Sequence, residues 1–325
     1  MQGSLRSDGN PRDNITPRCV TLRERFVSGA YRPAAVQAAL DGHQTPRTGR
    51  GYASAVISKS PVLSHRNLWS IDALTRADVL ALFDTARQLR RAERAGRGAA
   101  PLRGKNLALL CDAPGRGASV LRRAAVELGA QVAQLRPSDS HLHNGELDAT
   151  ARLLGRLYDA IDCTAMPATL IERVESDAGV PVYNGLGDEN HPTHALADLL
   201  GVHERSGKPL AELRVAYLGD ARTPRSDALL QAAALTGIEL RIAAPAGQEP
   251  TPARLRHAEQ LARQSQARLR LVDSADEAAR EADVVIDANG GERWALRAGG
   301  VPVDDAERAS DWRYTLQALL VNTMT

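Results

Sequence analysis

Aromatic side chains are scarce in this chain: two Phe, six Tyr and three Trp among 325 residues, 3% in all. Hydrophobic residues still make up 43%, so any core must be built of Ala, Leu and Val. Such a core suits helices laid on a parallel sheet. Cysteine is equally rare. Cys19, Cys111 and Cys163 fall in no metal-ligand spacing, and an odd, scattered set excludes a disulfide framework. It reads as the reduced thiols of a cytoplasmic protein. No apolar run approaches the ~20 residues of a membrane span, and no secretory h-region follows the start. A large excess of one charge is also missing. The 41 Lys/Arg and 39 Asp/Glu leave a net charge of +2, which speaks against a general nucleic-acid binder.

What charge there is lies unevenly. Residues 1–66 hold ten basic and four acidic residues, net +6, leaving 31 basic and 35 acidic residues, net −4, in the rest. The same segment is rich in Gly, Pro, Ser, Asn and Arg and has no sustained period. This composition predicts a disordered basic extension. An arm that docks on an unknown protein partner is the sharper reading of it. A targeting segment is weakened by Asp8, Asp13, Glu24 and Asp41.

Order is expected from "NLWSIDALTRADVLALFDTARQLRRA" onward, with Thr75 and Asp78 spaced as a capping box and apolar residues following at helical spacing. Strand-like runs come next at 106–112, 130–135, 158–163 and 180–185, with helical patterns at 118–128, 147–157 and 167–178 between them. "HALADLLGVHERSG" reads as a long helix ending at Gly207. The alternation then resumes with strands at 214–220, 238–244, 267–273 and 282–288, and "DWRYTLQALLVNTM" closes the chain as a helix. Strand–helix alternation predicts an α/β protein with two Rossmann-like, parallel-sheet domains, 67–205 and 206–310. The last helix, 311–325, is expected to return to the first domain.

Three stretches carry candidate chemistry. "CDAPGRGAS" follows a strand and opens a helix, which is how α/β proteins build anion sites. It lacks the P-loop pattern and the third glycine of a dinucleotide fingerprint. Gly115 and Gly117 would offer backbone N–H groups and Arg116 a charged fork. From spacing alone, a plain turn with a surface arginine is the better account. "NGLGDENHPTHALADLL" sets His191 and His194 at a helix start opened by Pro192. No carboxylate or cysteine completes a zinc set around them. "YLGDARTPRSDALL" places Asp220 at a strand end, where sheet-crevice sites form.

Taken together, residues 67–325 resemble the aspartate/ornithine carbamoyltransferase family, and ornithine carbamoyltransferases in particular. The resemblance rests on "NLWSIDALTRADVLALFDTARQLR", "TARLLGRLYDAID", "AGVPVYNGLGDENHPTHALADLL", "YLGDAR…GIELRIAAP" and "DWRYTLQALLVNTM". It implies the carbamoyltransferase fold and transfer of a carbamoyl group from carbamoyl phosphate to L-ornithine, giving citrulline and phosphate. It further implies no cofactor and no metal, a homotrimer, a place in arginine biosynthesis, and small-molecule substrates rather than nucleic acid or membrane partners.

The resemblance also assigns roles. The family's S-T-R-T-R phosphate loop falls on Pro114, Gly115, Arg116, Gly117 and Ala118. The first arginine is kept; three hydroxyls and the second arginine are lost. His191 matches the carbonyl-polarising histidine, and with Arg116 forms the implied catalytic pair. His194 stands where the family has glutamine. Arg313 is matched to a late phosphate arginine, and Thr164 stands where another arginine is usual. On the amino-acid side, Thr223 replaces an asparagine, Asp287 is kept, and the Ser-Met-Gly and H-C-L-P segments are absent. Charge-assisted contacts contribute roughly 1.5–3 kcal/mol each, so these losses predict activity reduced or lost. Three readings stay open: an unusual active enzyme, a non-catalytic paralogue that binds or interacts, and a transferase for another acyl-phosphate and amino acid. A nicotinamide dehydrogenase is distant, because neither strand–turn carries G-x-G-x-x-G.

Overall fold

The computed structural model describes residues 63, 67–98, 100–112, 115–137, 147–188, 190–288, 293–296 and 305–325. Leu63 apart, the basic extension lies outside these residues. Leu63 itself is buried in the core.

The strand-like runs become strands because each is short and bounded by turns; 106–110 and 160–163 are buried along nearly their whole length, whereas the edge runs 131–135 and 268–271 keep exposed residues. In the first half, β1 (Asn106–Leu110), β2 (Gln131–Leu135), β3 (Ala160–Cys163) and β4 (Val182–Tyr183) form one sheet. Its order is β2-β1-β3-β4 and every pairing is parallel. Helices α1 (Arg76–Arg94), α2 (Arg116–Glu127), α3 (Leu147–Leu157), α4 (Ala168–Ala178) and α5 (Thr193–Ser206) accompany it. Thr75 accepts from the Asp78 N–H while the Asp78 side chain accepts from the Thr75 N–H, so the capping box forms with Asp in place of Glu. Gly207 ends α5 in the left-handed region, φ 66°.

In the second half, β5 (Arg214–Leu218), β6 (Glu239–Ala243), β7 (Arg268–Leu271) and β8 (Val284–Asp287) are again parallel. They are accompanied by α6 (Pro224–Thr236), α7 (Pro252–Ser265) and α8 (Ala275–Ala279). A fifth strand, β9 (Arg293–Leu296), pairs antiparallel with β8 and completes the order β7-β6-β5-β8-β9. The sequence reading ran straight from β8 to the last helix and missed β9. The link between the two strands is too short for the crossover that a parallel return needs, so the chain folds back beside β8.

The last helix, α9 (Asp305–Met324), packs on α1, α2 and α5. It is pinned by polar contacts as well as by Leu316, Leu319 and Leu320. The buried Asp311 carboxylate receives Arg90 at 2.5 Å and Arg205 at 2.9 Å. Asn322 donates to Thr85 Oγ1 at 3.1 Å, and Thr323 meets the Tyr183 hydroxyl.

Strand order fixes where a ligand would lie. In the first sheet the chain runs outward from β1 to β2 and then returns to the other side of β1 as β3. In the second it runs from β5 through β6 to β7 and returns as β8. Such reversals open crevices at the carboxyl ends of β1/β3 and β5/β8. Cys111, Gly115, Thr164, Thr223 and Asp287 all stand at these ends.

Candidate functional site

Gly115 caps α2 with extended backbone, φ −74° and ψ 172°, and no side-chain cap bond. Space around its Cα is open. Arg116 begins the helix and is exposed, while Pro114 lies outside the described residues. Gly117 is different. A Cβ there would stand 1.8 Å from the Gly187 carbonyl oxygen, and one on Gly187 would stand 2.2 Å from the Gly117 carbonyl oxygen. The two backbones therefore touch, and only glycine fits at either position. The turn after β4 fills the floor of the loop after β1.

That turn is held by a residue the sequence reading passed over. Asp162, on β3, is fully buried. Its Oδ1 accepts from the Gly185 and Leu186 N–H groups at 3.1 and 2.8 Å, and its Oδ2 accepts from Thr164 Oγ1 at 2.8 Å. Burial pushes its carboxyl up to about 6, against the pull of those hydrogen bonds. The available signal was an acid inside an apolar strand, since a carboxylate there needs donors close by. Thr164, placed where the family has an arginine, spends its hydroxyl on this anchor.

His191 is 5% exposed. Its Nδ1 receives the Thr193 N–H at 3.2 Å, so the proton sits on Nε2. Nε2 then faces Leu68 O at 3.1 Å and Asn184 Oδ1 at 2.9 Å. Burial lowers its pKa to about 4, which keeps the ring neutral. Both nitrogens are committed within the protein.

His194 lies one step along α5. Its ring stacks on Trp312 with centroids 4.0 Å apart. Its Nε2 is buried with no hydrogen-bond partner among the described residues. Burial first, then the nearby Arg225 guanidinium, His191 and Arg308, lower its pKa to about 3. Arg225 and Arg308 both face Asp198, at 2.7 and 3.8 Å.

Arg313 does not join this group. Its guanidinium lies over the Tyr314 ring and pairs with Glu127 at 2.5 Å and Glu93 at 3.0 Å. Glu127 is the last residue of α2 and Arg116 the first. A helix of that length rises about 17 Å, so the two arginines belong to opposite ends. The cause is helical register: successive residues point about 100° apart, and α9 presents Trp312 to the histidines and Arg313 to α1 and α2. Arg313, matched by resemblance to a late phosphate arginine, thus stands at the far end of α2 from Arg116.

In the second half, Thr223 caps α6. Its Oγ1 accepts from the Ser226 N–H at 3.1 Å and donates to Ser226 Oγ at 2.9 Å. Asp287 ends β8, in register with Leu218 of β5 and Arg293 of β9. Among the described residues no group of three or more His, Cys, Asp or Glu is placed to hold a metal. No described helix is long and apolar enough to cross a membrane.

Comparison with known proteins agrees with this architecture. Residues 66–204 match the carbamoyl-phosphate-binding domain of the aspartate/ornithine carbamoyltransferases, and residues 211–290 match their Asp/Orn-binding domain. The ornithine carbamoyltransferase of Haemophilus influenzae (strain PittGG) is 36% identical over 225 residues, 69% of this chain and 67% of that one. The catabolic ornithine carbamoyltransferase of Burkholderia mallei is 38% identical over the same shares. The crystal structure of ornithine carbamoyltransferase from Gloeobacter violaceus superposes with a TM-score of 0.63 at 28% identity, covering 80% of this chain and 99% of that one. On sequence, strand order and solved relatives together, this chain belongs to the aspartate/ornithine carbamoyltransferase family.

Proposed function

We propose that this chain keeps the carbamoyltransferase scaffold while citrulline formation from carbamoyl phosphate and L-ornithine is severely reduced or lost. The observation that carries the reading is that His191, matched to the carbonyl-polarising residue, has both ring nitrogens occupied by Thr193, Leu68 and Asn184. A polarising N–H must aim at the position where charge develops, and this one is spent elsewhere. The same trend holds around it. Arg313 is paired away from the loop, Thr164 anchors Asp162, and Thr223 caps a helix. Phosphate leaving-group charge needs several preorganised donors, more than the one loop arginine, Arg116, and the Gly115 backbone supply.

In this reading 67–205 and 206–310 serve as the two ligand-binding domains, and a trimer in the cytoplasm is the expected state. The remaining function is non-catalytic binding or interaction, with the basic extension as the arm that meets a partner. A steady-state citrulline assay on the purified full-length chain is the test. Turnover in the usual enzyme range, ~1–1,000 per second, and abolished by Arg116→Ala, overturns the proposal.

A further inference from the structure

Trp312 is among the least expected features of the cleft. It is 8% exposed in a chain with few aromatic residues. Its ring lies on His194, and its Nε1–H donates to Thr193 Oγ1 at 3.3 Å. The same hydroxyl donates to Leu186 O at 3.2 Å and stands 3.1 Å from His191 Nδ1. One indole thus covers one histidine and is tied through one hydroxyl to the other and to the turn that floors the loop.

We propose that Trp312 is a built-in plug: its indole fills the space beside His191 and His194 that a small acyl-phosphate or phosphate anion would need, so the C-terminal helix holds the cleft closed to such ligands. This rests on the reading of lost activity given above and supplies a steric cause for it. Two further observations support it. The buried, unpartnered His194 Nε2 is a polar atom that apolar packing leaves unsatisfied, at a cost, so the spot is polar ground covered by a ring. The helix also cannot turn the ring away easily. The neighbours of Trp312 on both sides are clamped, Asp311 by Arg90 and Arg205, and Arg313 by Glu93 and Glu127. Rotation of α9 would break both sets at once, so the plug is fixed rather than a swinging gate.

The test compares the wild-type chain with Trp312→Ala, Trp312→Leu and Trp312→Phe, titrated with inorganic phosphate and with carbamoyl phosphate. Binding is followed by thermal shift and calorimetry after circular dichroism confirms folding. Trp312→Ala and Trp312→Leu are expected to bind phosphate about tenfold or more tightly than wild type, the scale of one regained charge-assisted contact. Trp312→Phe, which keeps a ring on His194, is expected to stay at the wild-type level. Folded Ala and Leu variants that bind no better than wild type overturn the plug. A reading independent of those variants comes from fluorescence of Trp312 in a Trp69→Phe/Trp294→Phe background. An unchanged spectrum under phosphate supports the plug, and a saturable change overturns it by showing an anion beside the seated ring. The two proposals fail separately: wild-type turnover of carbamoyl phosphate and ornithine sinks the loss of activity, whereas an inactive wild type with silent variants sinks the plug alone.

Discussion

The contact between Gly117 and Gly187 makes the sharpest single-residue claim. Adding one methyl at either position places a carbon at about half the normal contact distance from a carbonyl oxygen. The obstacle is backbone, so no rotamer relieves it. Gly117→Ala is expected to destabilise the chain by about 2 kcal/mol or more, in the upper range for overpacking. Gly115→Ala, where the space is open, should cost under about 1 kcal/mol. Urea midpoints for the two variants, read side by side, check this; equal midpoints would refute the contact.

At the scale of elements, the last helix offers a similar contrast. Asp311→Ala removes a buried carboxylate from Arg90 and Arg205; Arg90 keeps Glu204, so the loss should cost about 1–3 kcal/mol. Arg313→Ala removes a more solvent-facing pair with Glu93 and Glu127 and should cost about 1 kcal/mol, with no change in phosphate binding. Chemical denaturation and a phosphate titration of both variants provide the check. Loss of phosphate binding in Arg313→Ala would return that arginine to the site. The same helix shows where sequence reading reaches its limit. Strands β1 to β8 and helices α1 to α5 and α9 were legible, because short strand-like runs alternate with helical periods and caps stand at Thr75 and Gly207. The histidine-bearing turn was legible through its family motif. The facing of Trp312 and Arg313 was not, since a one-residue shift in helical register moves a side chain by 100° and no composition rule detects it. Asp162 was missed because its donors, Gly185 and Leu186, come from more than twenty residues away. Strand β9 was missed because four residues leave no usable period.

For the whole molecule, buried titratable groups set the response to acid. His191 and His194 have pKa values lowered to about 4 and about 3, against 6.5 when unfolded. The unfolded chain therefore takes up their protons first, and the stability they contribute is present above pH 6.5 and lost as pH falls toward 4. Asp162 works the other way. Its carboxyl, raised to about 6 from 3.8, binds a proton more readily in the folded state, so its contribution grows as pH falls from 6 toward 4. Between pH 7 and pH 4 each group changes the stability by about 2–3 kcal/mol. Two groups oppose one, so unfolding free energy should drop by about 3 kcal/mol between pH 7 and pH 4. Asp162→Asn keeps an acceptor for the turn but deletes the compensating titration, and its loss over the same range should be steeper. Urea unfolding at several pH values measures both; an acid-stabilised wild type would contradict the assignment.

The paired glycines also constrain the engineering of this protein. The family's phosphate loop carries a threonine where this chain has Gly117. A threonine placed there now would meet the Gly187 carbonyl. Writing that loop in one residue at a time is therefore blocked at that step until the 185–188 turn has moved, and the turn is anchored by Asp162. The order of substitutions matters: the anchor and turn first, the loop second. A design that writes the family's loop into this chain should expect strong epistasis between positions 117, 162 and 187, with a threonine at 117 harmful alone and tolerated only once the turn has been rebuilt.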